Sequence, residues 1–301
     1  MHDPNQRRLL LVVHTGRPEA IQLAREAADR LRKAGIGVRL LAPDAPALDI
    51  PDAELAEVSA EAANGCEVVM VLGGDGTILR GAEVARASRT PVLGVNLGHI
   101  GFLAESERDD LEFTIDHVVH RKYDVEERMT LDVAVTYDGS VVARDWALNE
   151  ASVEKSARER MLELVVEVDG RPLSRWGADG VVAATPTGST AYAFSAGGPI
   201  VWPEVEALLV VPLSAHALFA RPMVVSPSSV IAVELVPQNS QPGVLWCDGR
   251  RTEQIMPGAR IEVRRGAHAV RLARLHHGPF TDRLVAKFDL PVHGWRGRPR
   301  E

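Results

Sequence analysis

The apolar positions of the chain follow two rhythms. In its first part, short unbroken apolar runs alternate with stretches of helical spacing. Leu9-Leu10-Leu11-Val12-Val13 reads as a buried strand, Pro18 to Leu31 sets apolar residues at helical intervals, Gly35 stops that helix, and Val38-Arg39-Leu40-Leu41 reads as the next strand. Such a β-α-β unit implies a parallel sheet with right-handed crossovers. Pro43 to Pro51 is polar and proline-rich and predicts a loop, followed by a second helix over roughly Asp52 to Ala63. Val68 to Leu72 and Pro91 to Val95 add two strands, Ile78 to Ala85 is helix-compatible, and Asp109 to Lys122 predicts one more helix.

Beyond Lys122 the period shortens to two. Leu131 to Tyr137 alternates apolar and polar positions, Asp138-Gly139 predicts a hairpin turn into Val141-Val142-Ala143-Arg144, and Met161 to Val168 repeats the pattern before Asp169-Gly170. Val230 to Leu235, Gly243 to Cys247 and Ala259 to Val263 continue it. The patterning predicts an α/β N-terminal domain with a Rossmann-like parallel sheet over residues 1–122 and an all-β C-terminal domain, a β-sandwich of two packed sheets, over 123–279. Phe280 to Phe288 reads as a short helix that returns to the first domain, and 280–301 ends in a basic tail.

Composition narrows the classes. The 301 residues are 46% hydrophobic, enough for a sizeable core, and the formal charge of −7 with a pI near 5.8 argues against a general nucleic-acid surface. Local basicity is confined to Trp295-Arg296-Gly297-Arg298-Pro299-Arg300. Cys66 and Cys247 are far apart and fit no metal or disulfide spacing, as in a reducing compartment. No apolar run approaches the about 20 residues of a membrane span, and a cytoplasmic protein is expected.

Candidate chemistry begins where the run Val68 to Leu72 breaks into Gly73-Gly74-Asp75-Gly76-Thr77. Glycines let backbone N–H groups approach a phosphate, and a following helix start adds favourable partial charge. A carboxylate there has three possible uses: helix N-cap, metal ligand, or acceptor of a proton from an attacking hydroxyl. The dinucleotide fingerprint G-x-G-x-x-G is not met by Gly74-Asp75-Gly76-Thr77-Ile78-Leu79, and no G-x-x-x-x-G-K-[ST] occurs. A second glycine-rich turn, Asn96 to Leu103, follows the next strand. Asn149-Glu150, at the end of a strand through Asp145 to Leu148, pairs groups able to read an amide edge and a ribose diol. The segment from Asp179 to Pro199 concentrates small hydroxyls around Pro186 and Gly188; buried, each needs a partner, so the stretch suits a polar ligand, or else a capped turn. His276-His277 reads as a solvated turn and not a metal pair.

In this order, Gly73 to Thr77, Asn96 to Leu103, Asn149-Glu150 and Thr185-Pro186-Thr187-Gly188-Ser189-Thr190-Ala191-Tyr192 resemble the NAD kinase family, from about Leu9 to Phe288. The resemblance implies transfer of the terminal phosphoryl group of ATP, or of polyphosphate, to the 2′-hydroxyl of the adenosine ribose of NAD, with Mg²⁺ and a homodimer or homotetramer whose site a neighbouring subunit can complete. It implies no nucleic-acid or membrane partner. By the family pattern Asp75 is the general base, Gly73, Gly74, Gly76 and Thr77 face the donor phosphates, and Arg80 stands near them. Asn149 and Glu150 hold the adenosine, Thr190 and Ala191 line the adenine, and Thr187 is a further binding residue. Asp179, Tyr192 and Ser195 approach the nicotinamide end, and Arg160 stands where some relatives have His. No all-protein metal site is expected. Two positions depart from the pattern: Gly177 stands where relatives commonly carry Arg, with Arg175 two residues earlier, and Asp248-Gly249-Arg250 replaces Asp-Gly-Gln. A lipid kinase sharing the glycine loop and a non-catalytic NAD(H) sensor are the competing readings.

Overall fold

The computed structural model describes residues 7–96, 101–104, 106–107, 110–156, 160–275 and 278–292. The chain divides into two compact units: residues up to Glu127 together with those from Val270 onward, and Arg128–Ala269. In the first unit β1 (Arg8–Val13) leads through α1 (Pro18–Lys33) to β2 (Gly37–Leu41), α2 (Ala45–Leu48), β3 (Glu54–Ala56), β4 (Val68–Leu72), α3 (Asp75–Ala85), β5 (Val92–Asn96), β6 (Ser106–Glu107), α4 (Leu111–Val119) and β7 (Asp124–Arg128). The parallel order β3-β2-β1-β4-β5, with β6 beside β5, puts β1 and β4 at the centre, which is why both are unbroken apolar runs. Leu9, Leu11 and Val13 meet Leu23, Ala24, Ala27 and Leu31 of α1 in one core. Pro18 opens that helix, Glu19 lies in its first turn and Arg30, Arg32 and Lys33 in its last, each matched to the helix dipole.

The stretch from Asp52 to Ala63 is not a helix. Its start forms the edge strand β3, and Glu54 is tied by its carboxylate at 2.8 Å to Arg39 of the adjoining β2 and to Arg8 of β1 beyond it. Arg39, nearly buried, donates onward to the carbonyls of Ala62 and Asn64, so the space a helix would fill holds a guanidinium and irregular backbone. A short helix, α2, lies inside the proline-rich stretch read as loop, with Pro46 in its first turn.

The second unit is wholly antiparallel. Its strands are β8 (Leu131–Tyr137), β9 (Ser140–Ala147), β10 (Glu150–Lys155), β11 (Leu162–Val168), β12 (Arg171–Ala178), β13 (Gly180–Ala184), β14 (Leu208–Leu213), β15 (Met223–Val225), β16 (Ile231–Leu235), β17 (Gly243–Cys247), β18 (Arg251–Ile255) and β19 (Arg260–Arg265), in the orders β15-β14-β13-β10-β17-β18 and β12-β11-β16-β19-β8-β9. Alternate residues of both sheets, among them Val133, Leu164, Val233, Val153, Val181 and Leu245, form one hydrophobic cluster. Val182, Ala184, Leu209 and Val211 on the other face of β13 and β14 are covered by Ala193 of the short helix α5 (Tyr192–Ser195). That second covering explains why β13 lacks alternation. β9 ends at Ala147 and Glu150 opens β10, so Asn149-Glu150 lies where one strand ends and a central one begins.

The chain then returns to the first unit earlier than its helical signal suggests: β20 (Val270–Arg274) pairs in parallel with β5 and stands between β5 and β7, and α6 (Phe280–Phe288) follows. Among the described residues no helix is long and apolar enough to cross a membrane. His276-His277, residues 97–100 of the second glycine-rich turn and the tail beyond Val292 lie outside the described residues.

Candidate active site

At the carboxyl edge of the parallel sheet the loop after β1 lies beside the loop after β4, the N–H of His14 donating to the Leu72 carbonyl at 3.0 Å. The helix cap of α3 is Gly74, and Asp75 is the first helical residue. Its carboxylate is therefore not used as a cap. It accepts the backbone N–H of Leu103 on Oδ1 and of Phe102 on Oδ2, both at 3.3 Å. A Cβ on Gly101 would collide with that carboxylate. Two donors, one to each oxygen, fix the plane of the group while leaving lone pairs for a ligand.

The loop glycines are not needed for backbone conformation, since none has positive φ. A Cβ on Gly73 would strike the Thr77 side chain, whereas Cβ atoms on Gly74 and Gly76 would meet nothing within 4 Å. Open space above two adjoining backbone segments at a helix start fits a phosphate chain. Arg80, one turn further along α3, is engaged by Asp44 at 2.9 Å, and the second oxygen of this buried aspartate has no hydrogen-bond partner.

In the second unit the hydroxyl-rich segment folds back on Leu148 and Asn149. Thr185 Oγ1 donates to the Leu148 carbonyl at 2.6 Å and accepts from Gly188 N–H at 3.1 Å, while Thr185 N–H donates to the Asn149 carbonyl at 2.9 Å. The approach is so close that a Cβ on Gly188 would overlap the Asn149 carbonyl. Ser189 bonds both ways with Val201, and Thr190 donates to Thr187 O. Thr187 Oγ1 is reached by Arg128 at 3.5 Å. From the other side Asp248 accepts the N–H groups of Leu148 and Asn149 at 3.0 and 2.7 Å and is itself held by Arg251.

Glu150 stands at the centre of this arrangement. It is buried, receives the Tyr192 backbone N–H, and one carboxyl oxygen, Oε2, has no partner. Burial first, and then the charge of Asp248, push its pKa up to about 8. The Tyr192 hydroxyl donates to Glu154 and is pushed up to about 12 by burial and by the surrounding carboxylates of Glu154, Glu150 and Asp179. Burial also raises Asp248 against the opposing pull of its two N–H donors and Arg251. A buried carboxyl oxygen left without a partner inside a frame of satisfied groups is a position where an added polar partner can bind.

Residues 9–123 match the model of the ATP-NAD kinase N-terminal domain and residues 148–275 that of the ATP-NAD kinase C-terminal domain. The chain is 63% identical over 295 residues to NAD kinase 2 of Streptomyces coelicolor, covering 97% of this chain and 98% of that one. It is 60% identical over 308 residues to the NAD kinase of Thermobifida fusca, covering 99% and 94%. The chain belongs to the NAD kinase family. The kinase fold is also that of yeast NADH kinase in complex with NADH, at TM-score 0.88 and 22% identity over 98% of this chain and 90% of that chain. An NAD kinase from Archaeoglobus fulgidus in complex with ATP aligns at TM-score 0.70 and 23% identity over 94% and 98%.

Within the NAD kinase chain the residues expected at the site fall into groups. Gly73, Gly74, Asp75, Gly76 and Thr77 form one loop; Asn149, Glu150, Thr187, Thr190, Ala191 and Tyr192 form one frame, and Asp179 acts on Tyr192 electrostatically while pairing with Lys155. Ser195 is exposed at the end of α5. Arg160 lies apart from that frame: it donates to Ser240 at 3.0 Å in a surface recess that shares Lys155 with the Asp179 pair. Arg175 pairs with Glu163 across β11 and β12. Asp248, on the Leu148 and Asn149 N–H groups, and Glu154, on the Tyr192 hydroxyl, stand outside the residues expected from the sequence. Asp248 carried a visible signal, an Asp-Gly pair after a strand, but the signal reads as a turn.

Proposed function

We propose that this chain is an ATP-dependent NAD kinase that phosphorylates the 2′-hydroxyl of the adenosine ribose, giving NADP. The supporting observation is the Asp75 carboxylate, oriented by two backbone N–H groups beside a loop left open at Gly74 and Gly76. In the step proposed, Asp75 accepts the proton of the 2′-hydroxyl as its oxygen bonds the γ-phosphorus. The bond from that phosphorus to the β,γ-bridging oxygen breaks, and ADP leaves with the electron pair. A positioned carboxylate of this kind typically contributes about 10²–10⁴-fold. The rest of the acceleration comes from position and charge stabilisation, because the transition state is loose.

In this reading Gly73, Gly74, Gly76, Thr77 and Arg80 serve the donor phosphates. Asn149 and the free Oε2 of Glu150 take the adenosine, Thr187, Thr190 and Ala191 line it, and Asp179, Tyr192, Ser195 and Arg160 serve the nicotinamide side. Among the described residues no three His, Cys, Asp or Glu side chains gather to hold a metal. A Mg²⁺ ion would therefore arrive on the donor phosphates, with Asp75 the loop's one carboxylate, the usual manner of binding for this ion. When bound it neutralises charge on the phosphate oxygens. We further infer that the two antiparallel sheets sharing one core form a β-sandwich, that the first unit serves the phosphate donor and the second the NAD, and that the enzyme is a cytoplasmic homo-oligomer. A matrix of NAD and NADH against ATP, other nucleotides and polyphosphate tests the assignment: no NADP with ATP and NAD in the presence of Mg²⁺ overturns it.

A further inference from the structure

Residues 101–104 do more than touch Asp75. Phe102 C=O and Leu103 N–H belong to the same peptide group. On one side Leu103 N–H donates to Asp75 Oδ1; on the other, Phe102 C=O accepts Nη1 of Arg283 at 3.2 Å, and the same Nη1 reaches the Ala104 carbonyl at 3.2 Å. Arg274 of β20 approaches the intervening Leu103 carbonyl at 3.5 Å and is fixed by Glu126 at 2.7 Å. The Phe102 ring is held between Phe280 and Phe288 of α6, at centroid distances of 6.0 and 5.9 Å. Beneath, a Cβ on Gly94 would press on Ala104 Cα at 3.2 Å and on the Ile78 side chain of α3. The segment is thus clamped from the C-terminal helix while its N–H groups face the carboxylate.

We propose that Arg283 is a positioning residue for phosphoryl transfer, acting on Asp75 through the Phe102–Leu103 peptide. A cation on a carbonyl polarises its peptide and strengthens the hydrogen bond made by the attached N–H, and it removes freedom from the backbone that holds the carboxylate plane. Helix α6 lies outside both spans matched to the family models, so this support comes from the chain's own C-terminal segment. The inference rests on the reading of Asp75 as the base.

Steady-state kinetics with NAD and ATP on the full chain test it, with melting temperature followed in parallel. In R283Q, kcat falls roughly tenfold while both KM values stay within about twofold of wild type, because substrate contacts are untouched and only the geometry of the base is loosened. R283K, which keeps a charge for one carbonyl, recovers part of kcat. K287Q, an exposed change on the same helix, leaves kcat unchanged. The inference is overturned by wild-type kcat in R283Q, or by a loss shared between kcat and both KM values that R283K does not relieve. Where R283Q does not fold, R283K decides: a several-fold lower kcat at unchanged KM supports the role, wild-type kcat removes it. D75N separates the two readings. Normal turnover in D75N defeats the base and this inference together, whereas inactive D75N beside normal R283Q defeats this inference alone.

Discussion

Gly74 and Gly76 have empty space where a Cβ would stand; Gly188 has the Asn149 carbonyl. The two polar segments, Gly73 to Thr77 and Thr185 to Ser195, are built of the same small residues and use them in opposite ways. In the first, smallness keeps room for something outside the chain, and the single carboxylate is presented by backbone donors. In the second, smallness lets backbone approach backbone, and the hydroxyls of Thr185, Ser189 and Thr190 are satisfied within the chain. Beside these satisfied hydroxyls the Glu150 carboxyl keeps one oxygen without a partner, and Ser195 at the end of the segment stays exposed. Density of polar residues therefore marks a site without saying which of them bind.

The comparison breaks most sharply at Asp75. D75N is expected to lower kcat by about 10²–10⁴-fold, roughly 3–5 kcal/mol of barrier, with NAD affinity by calorimetry little changed. Turnover near wild type would place the chemistry elsewhere. Next in size is the contrast between glycines. G188A forces a methyl into a carbonyl and is expected to cost ~3 kcal/mol or more in denaturant unfolding. G74A, with ordinary φ of −85° and open surroundings, leaves stability almost unchanged while weakening ATP use. Equal stability losses in the two variants would erase the contrast between the open Cβ position at Gly74 and the filled one at Gly188.

Glu150 gives a pH test. Its carboxyl, ordinarily at 4.5, titrates at about 8 in the folded chain. Between those values the folded state holds a proton that the unfolded state has released, so the contribution to stability is full below pH 4.5 and is lost as pH rises to about 8. E150Q should flatten that slope, a difference of a few kcal/mol (~2–4) across the window in ligand-free protein. Parallel pH–stability curves for the two proteins would contradict the burial argument. The smallest effect belongs to Thr185. T185V removes a donor to Leu148 O and an acceptor for Gly188 N–H, for about 1–2 kcal/mol of stability and a looser Asn149 seen as weaker NAD binding.

Three Asp-Gly pairs show how far local sequence carries. Asp138, Asp169 and Asp248 all adopt left-handed backbone, with φ of 50°, 53° and 54°, and each is followed by a glycine of positive φ. Each is legible as a turn, because the dipeptide itself favours that conformation. Their carboxylates differ. Asp169 accepts the Ser229 hydroxyl and the Val230 N–H, 60 and 61 residues on, just before the strand paired with β11. Asp248 instead reaches back 99 and 100 residues to the N–H groups of Asn149 and Leu148 in the loop between β9 and β10. The error at Asp52 to Ala63 has the same root: Glu54 is drawn into a strand by Arg39 and Arg8, which are distant in sequence.

By itself the sequence determined the two rhythms, the glycine loop with its lone carboxylate and the polar segment downstream, since each depends on residues within a few positions of one another. The order of such motifs along the chain carried the likeness to a kinase family. Only the tertiary structure decided which groups are free. That Asp75 is held by Phe102 and Leu103, that Arg80 is engaged by Asp44, and that Glu150 keeps an unused oxygen beside Asp248 are facts about partners brought together across the chain. A hydrogen bond satisfied within the fold and one reserved for a ligand are written with the same residue, and burial and neighbours distinguish them.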